Sequence, residues 1–123
     1  MTLKHIRLEL ARTPDFPNGS AERGYEFVAP LDGRGHLDPA GWANGKARCN
    51  VRRFWPGQDD EHGKLIHSRH GWAFSYAPGE DDDEPIFKFD RHSFVVGEYV
   101  TVTEHDSVAR PFRVVEVKPV MGK

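Results

Sequence analysis

Short runs in which apolar and polar side chains alternate one for one, each ended by proline, glycine or asparagine, recur along this chain and leave room for a single helix. A period of two sends successive side chains to opposite faces of a strand, so each run buries its apolar face only by joining a sheet. The first run, KHIRLELAR at 4–12, puts Ile6, Leu8 and Leu10 on one side and His5, Arg7 and Glu9 on the other. The following TPDFPNGSAERG is a loop by its prolines, glycines and Asn-Gly pair. Strands are then expected in YEFVA (25–29), CNVRRFW (49–55), KLIH (64–67), WAFSY (72–76), IFKF (86–89), EYVTVTE (98–104) and FRVVEV (112–117). The helix signal is Asp38 as a cap and Pro39 in the first helical position, with the helix running to about Arg48.

Two hairpins carry further detail. In SRHG, Ser68 suits the first position of a turn and Gly71 the left-handed last position of a bulged hairpin. That hairpin joins KLIH to WAFSY, with Trp72, Phe74, Tyr76 and Ile66 expected on one face, Leu65 and His67 on the other, and His70 at the tip. The last pair, joined by HDSVAR, has the longest apolar strands, and Val100, Val102, Val115 and Val117 are expected to face the core. About seven or eight short strands at a spacing of ~8–12 residues are the signature of sandwiches and barrels. The expected fold is mainly β (β-rich α+β), a small antiparallel, partly open β-barrel with one short helix over one end. Closing the sheet removes edges that would otherwise aggregate. A chain of 123 residues fits one such domain, residues 1–123.

The order RRFWPG, GWAFSY, a run of acids, VGEYVTVTEHD and FRVVEV resembles a family of short bacterial proteins of uncharacterised function, over most of the chain from Gly24 on. The resemblance implies no catalytic or binding residue. The hairpin from Gly97 to Val117 is also similar to those of small SH3-like barrels, which bears on fold and not on function.

Composition narrows the function classes. A net charge of −2 gives no global attraction to nucleic acid or anionic membranes, so binding of either kind needs a local basic patch. Cys49 is the single cysteine, which excludes an internal disulfide and a thiolate cluster and fits a reducing compartment. No apolar run approaches the ~20 residues of a membrane span, and MTLKHIRLEL lacks the apolar stretch of a secretory signal. A soluble, cytoplasmic protein with no membrane partner is expected.

The motifs that carry chemistry are sparse. His62, His67 and His70 have a spacing that permits a shared metal, but a strand and its turn make them diverge, and no HExxH is present. Surface histidines are the plain reading; a metal-dependent enzyme at these residues is the alternative function. The acids 59–61 and 80–84 lack the spaced oxygens of a calcium loop and read as solvated. His105, Asp106 and Ser107 are adjacent, as a turn requires and a catalytic triad does not. Cys49 beside Arg48 reads as a small buried residue. No phosphate-binding glycine loop occurs, and no cofactor is implied.

The remaining surface signal is ARCNVRRFWP, where Arg48, Arg52 and Arg53 concentrate charge beside Phe54 and Trp55. Arginine with aromatic groups suits a protein-binding hot spot, and also single-stranded RNA. The plain reading is that the aromatics are core while the arginines pair with nearby acids. Alternation puts Arg53 and Trp55 on one face and Arg52 and Phe54 on the other. The sequence therefore points to a non-enzymatic interaction module, with a protein partner ahead of RNA, and with Arg53 and Trp55 as the contact pair.

Overall fold

The computed structural model describes residues 2–45, 48–68, 71–76, 84–85, 93–104 and 106–120. Its strands are β1 (Thr2–Leu10), β2 (Ser20–Leu31), β3 (Asn50–Phe54), β4 (Glu61–Ser68), β5 (Gly71–Ser75), β6 (Glu84–Pro85), β7 (Tyr99–Thr103) and β8 (Ala109–Pro119), with one helix, α1 (Pro39–Gly45). All neighbouring strands pair antiparallel, in the order β6-β5-β4-β3-β2-β1-β8-β7. The sheet curls into a half-barrel, and its edge strands β6 and β7 approach each other. A mainly β, partly open barrel with one short helix is what the alternating runs call for. The expected strand IFKF lies outside the described residues.

The concave face holds the core. Ile6, Leu8 and Leu10 of β1 meet Tyr25, Phe27 and Ala29 of β2, with Phe74, Phe112 and Val114 closing over them. Tyr25 sits 4.9 Å from Phe74 and 5.1 Å from Phe112, ring centre to ring centre, so the aromatics interlock in tilted and edge-on pairs. Helix α1 starts as its sequence directs: Asp38 Oδ1 accepts the Gly41 N–H at 3.1 Å, and Pro39 occupies the first position. It closes the end of the barrel where β2 finishes and β3 begins.

Two expectations about facing need correction. In the β4–β5 hairpin Ser68 pairs with Gly71, which sets Leu65 opposite Phe74 and His67 opposite Trp72. Leu65 therefore faces the core with Phe74, while Ile66 pairs with Ala73 on the other face. In β8 the register slips against β1: Arg7 pairs with Glu116 but Leu8 pairs with Val114. Val115 is the extra residue of that bulge, so Val114 is buried and Val115 points away from the core. His70 at the hairpin tip lies outside the described residues.

Candidate functional site

Three hairpin connections, at 11–19, 55–60 and 104–108, gather at the end of the barrel away from α1, because β1, β3 and β7 all finish there. The first is tied by reciprocal Thr13 and Phe16 backbone hydrogen bonds at 3.0 Å, and turns back through Gly19. Gly19 has φ 72°, and a Cβ there would stand 2.6 Å from the Leu10 carbonyl, so only glycine fits. The second is the Trp55-Pro56-Gly57-Gln58 turn, closed from the Gln58 N–H to the Trp55 carbonyl at 3.2 Å with Gly57 at φ 78°. Proline then glycine is the chemistry of a type II turn. The third is fastened by the Ser107 N–H to the Glu104 carbonyl at 2.8 Å.

Between them lies a groove of ≈ 430 Å³ walled by Phe16, Arg23, Trp55, Val108, Arg110 and Pro111, with Arg12 and Asp15 at its rim. Trp55, half-buried, forms its floor. Three guanidinium carbons surround the indole: Arg53 at 4.5 Å, Arg23 at 5.6 Å and Arg110 at 5.7 Å from its ring centre. Arg23 also stacks on Phe16 at 4.3 Å. Such contacts hold the planar groups against one another.

Beneath the groove is a buried ionic cluster. Glu104, 2% exposed, accepts from Tyr25 Oη at 2.5 Å and Arg53 Nε at 3.0 Å on one oxygen, and from Arg110 Nη1 at 2.8 Å on the other. Arg53, 6% exposed, also donates to Gln58 at 3.1 Å and lies 3.8 Å from Glu61. Burial alone would lower the Arg53 pKa, but the Glu104 carboxylate outweighs it and holds the guanidinium charged. Asp106 binds Arg110 Nη2 at 3.0 Å, and that bond lowers the Asp106 pKa. Arg53 and Arg110 are thus committed to internal acids, whereas Arg12 is exposed and has no ion pair among the described residues.

The structure joins Arg53 and Trp55 and separates them from the other two arginines. Arg52 lies on the outer face, bonded to Glu26 at 2.6 Å and Asp60 at 2.7 Å, and stacks over Phe54 at 4.9 Å. Arg48, exposed, precedes β3 at the opposite end of that strand from Trp55. His62 pairs with Arg52 on the outer face, while His67 lies flat on Trp72 at 4.1 Å on the inner one. Among the described residues no three His, Cys, Asp or Glu side chains are grouped to hold a metal. Cys49 is buried, and desolvation raises its thiol pKa. Phe16, Arg23 and Arg110 escape sequence reasoning because each sits in or beside a loop read only for turn chemistry; an aromatic inside TPDFPNGS is the one local signal. No family model, curated protein or solved structure matches this chain.

Proposed function

We propose that this chain is a non-enzymatic intracellular interaction module that receives a segment of a protein partner in the three-turn groove. The observation that carries this reading is Trp55, only partly buried and ringed by three guanidinium groups within 6 Å. Tryptophan and arginine held rigid beside a partly desolvated hollow are the side chains that dominate protein interfaces. Arg53 takes a supporting role: buried on Glu104, it backs the indole from inside, while Arg23 and Arg12 meet the partner. RNA uses the same residue types, but a net charge of −2 supplies no general attraction for its backbone. A cytoplasmic setting fits the lone, buried Cys49. No helix among the described residues is long and apolar enough to cross a membrane. Kinship with the short bacterial family of RRFWPG and GWAFSY belongs to the same proposal.

The test compares wild-type, Trp55→Ala and Trp55→Phe proteins as baits in nuclease-treated source extract, with thermal midpoints recorded for each. A protein retained by wild type and Trp55→Phe but lost by a folded Trp55→Ala is the expected result. Equal retention by all three removes the groove from the interaction.

A further inference from the structure

A second groove, ≈ 280 Å³, opens on the outer side of the chain at Leu10 and Arg12, and these two residues line both hollows. It runs over β7 and β8, where Tyr99 and Arg113 are cross-strand partners and Val115, displaced outward by the bulge, adds apolar surface. Tyr99 is 56% exposed, an uncommon position for a large aromatic side chain. Arg113 is exposed, and its other cross-strand neighbour, Glu9, is bonded to Arg7 at 2.8 Å. Among the described residues Arg113 and Arg12 have no ion pair. Along the surface the order is therefore Tyr99, Arg113, Arg12, Arg23 on Phe16, and Trp55: a planar ring at each end with guanidinium groups between.

We propose that the two grooves form one track across Arg12 that takes an extended acidic peptide segment of a protein partner, an inference that rests on the three-turn groove being the partner site. Charge selects the occupant. Arg12, Arg23 and Arg113 line the track against Glu9 and Asp15; Arg110 also lines it but is held by Glu104 and Asp106, and Glu9 is paired with Arg7, which Glu26 shares. Carboxylates of the segment pair with Arg12, Arg113 and Arg23, and its apolar side chains rest on Tyr99 and Trp55. An extended chain rises about 3.3 Å per residue, so six residues reach about 20 Å, whereas Arg113 of one hollow and Arg110 of the other stand three β8 residues apart, about 10 Å. A peptide can set neutral residues against Asp15 and Asp106, whereas a nucleic acid brings a phosphate to every position.

The full chain is titrated with a capped fluorescent hexapeptide of four glutamates and two phenylalanines, a tripeptide of two glutamates and one phenylalanine, a glutamine version of the hexapeptide, and hexauridylate. The hexapeptide is expected to bind at least tenfold tighter than the tripeptide and the glutamine version. Arg113→Ala and Tyr99→Ala, both at exposed positions, are expected to weaken the hexapeptide three- to tenfold and leave the tripeptide unchanged, while Trp55→Ala and Arg23→Gln weaken both. If Arg113→Ala and Tyr99→Ala change nothing while Arg23→Gln weakens both peptides, the track is wrong and the three-turn groove stands. If no peptide binds at millimolar concentration, or Arg23→Gln and Trp55→Ala are both without effect, track and groove reading fall together. Tighter binding of hexauridylate than of the hexapeptide also overturns the proposal, since the occupant is then nucleic acid.

Discussion

Glu104 decides more about this site than any residue that touches its surface. One buried carboxylate meets Tyr25, Arg53 and Arg110, and so sets two of the three guanidinium groups around Trp55. Glu104→Gln removes the charge and leaves Arg53 buried without its main partner, an effect of about 3 kcal/mol for broken buried pairs. Urea denaturation is expected to show a loss of that order, and an unchanged midpoint would mean that the cluster contributes little. Glu26 makes a different test. Burial pushes its carboxyl up, but hydrogen bonds from Arg52 and Arg7 outweigh this and leave its pKa below the ordinary 4.5. A depressed folded pKa gives stability that is complete above the unfolded value and lost as pH falls through the folded one. Wild type is therefore expected to exceed Glu26→Gln in stability at about pH 6, with the gap closing below about pH 4. A gap that is constant with pH contradicts the ion-pair account of this residue.

At the level of elements, turn chemistry was legible and strand facing was not always. Pro56-Gly57 and Asp38-Pro39 stand in the chain as the turn and the helix start that they form, because each acts through its own backbone. The facing of β8 depends on pairing with β1, more than a hundred residues away in sequence, and the slip that buries Val114 in place of Val115 has no local sign. FRVVEV alternates equally well from either valine. Two substitutions separate the registers: Val114→Asp, at a site 1% exposed, is expected to abolish cooperative unfolding, whereas Val115→Asp should keep the fold. The opposite pattern restores the unbulged strand. The β4–β5 hairpin has the same cause of misreading, since pairing Ser68 with Gly71 reverses the face on which Ile66 lies.

At the level of the whole molecule, the site exists because three strands finish at one end and their connections converge there. Trp55 and its neighbouring arginine are visible in RRFWPG, but Phe16, Arg23 and Arg110 come from other turns, and only the order β3-β2-β1-β8 brings them beside it. That topology also divides the three tryptophans: Trp42 on α1 donates to the Leu65 carbonyl at 2.8 Å, Trp72 is buried under His67, and Trp55 alone floors the groove. Each indole N–H gives its own signal in a nitrogen–proton correlation spectrum, so one titration of the labelled full chain with the acidic hexapeptide reads all three positions together. The Trp55 signal, with the amides of Arg12, Thr13, Asp15, Phe16 and 108–110, is expected to move in a saturable way while Trp42 and Trp72 stay in place. Movement of Trp42 or Trp72 with Trp55 unchanged would contradict a partner site at the three-turn end of the barrel.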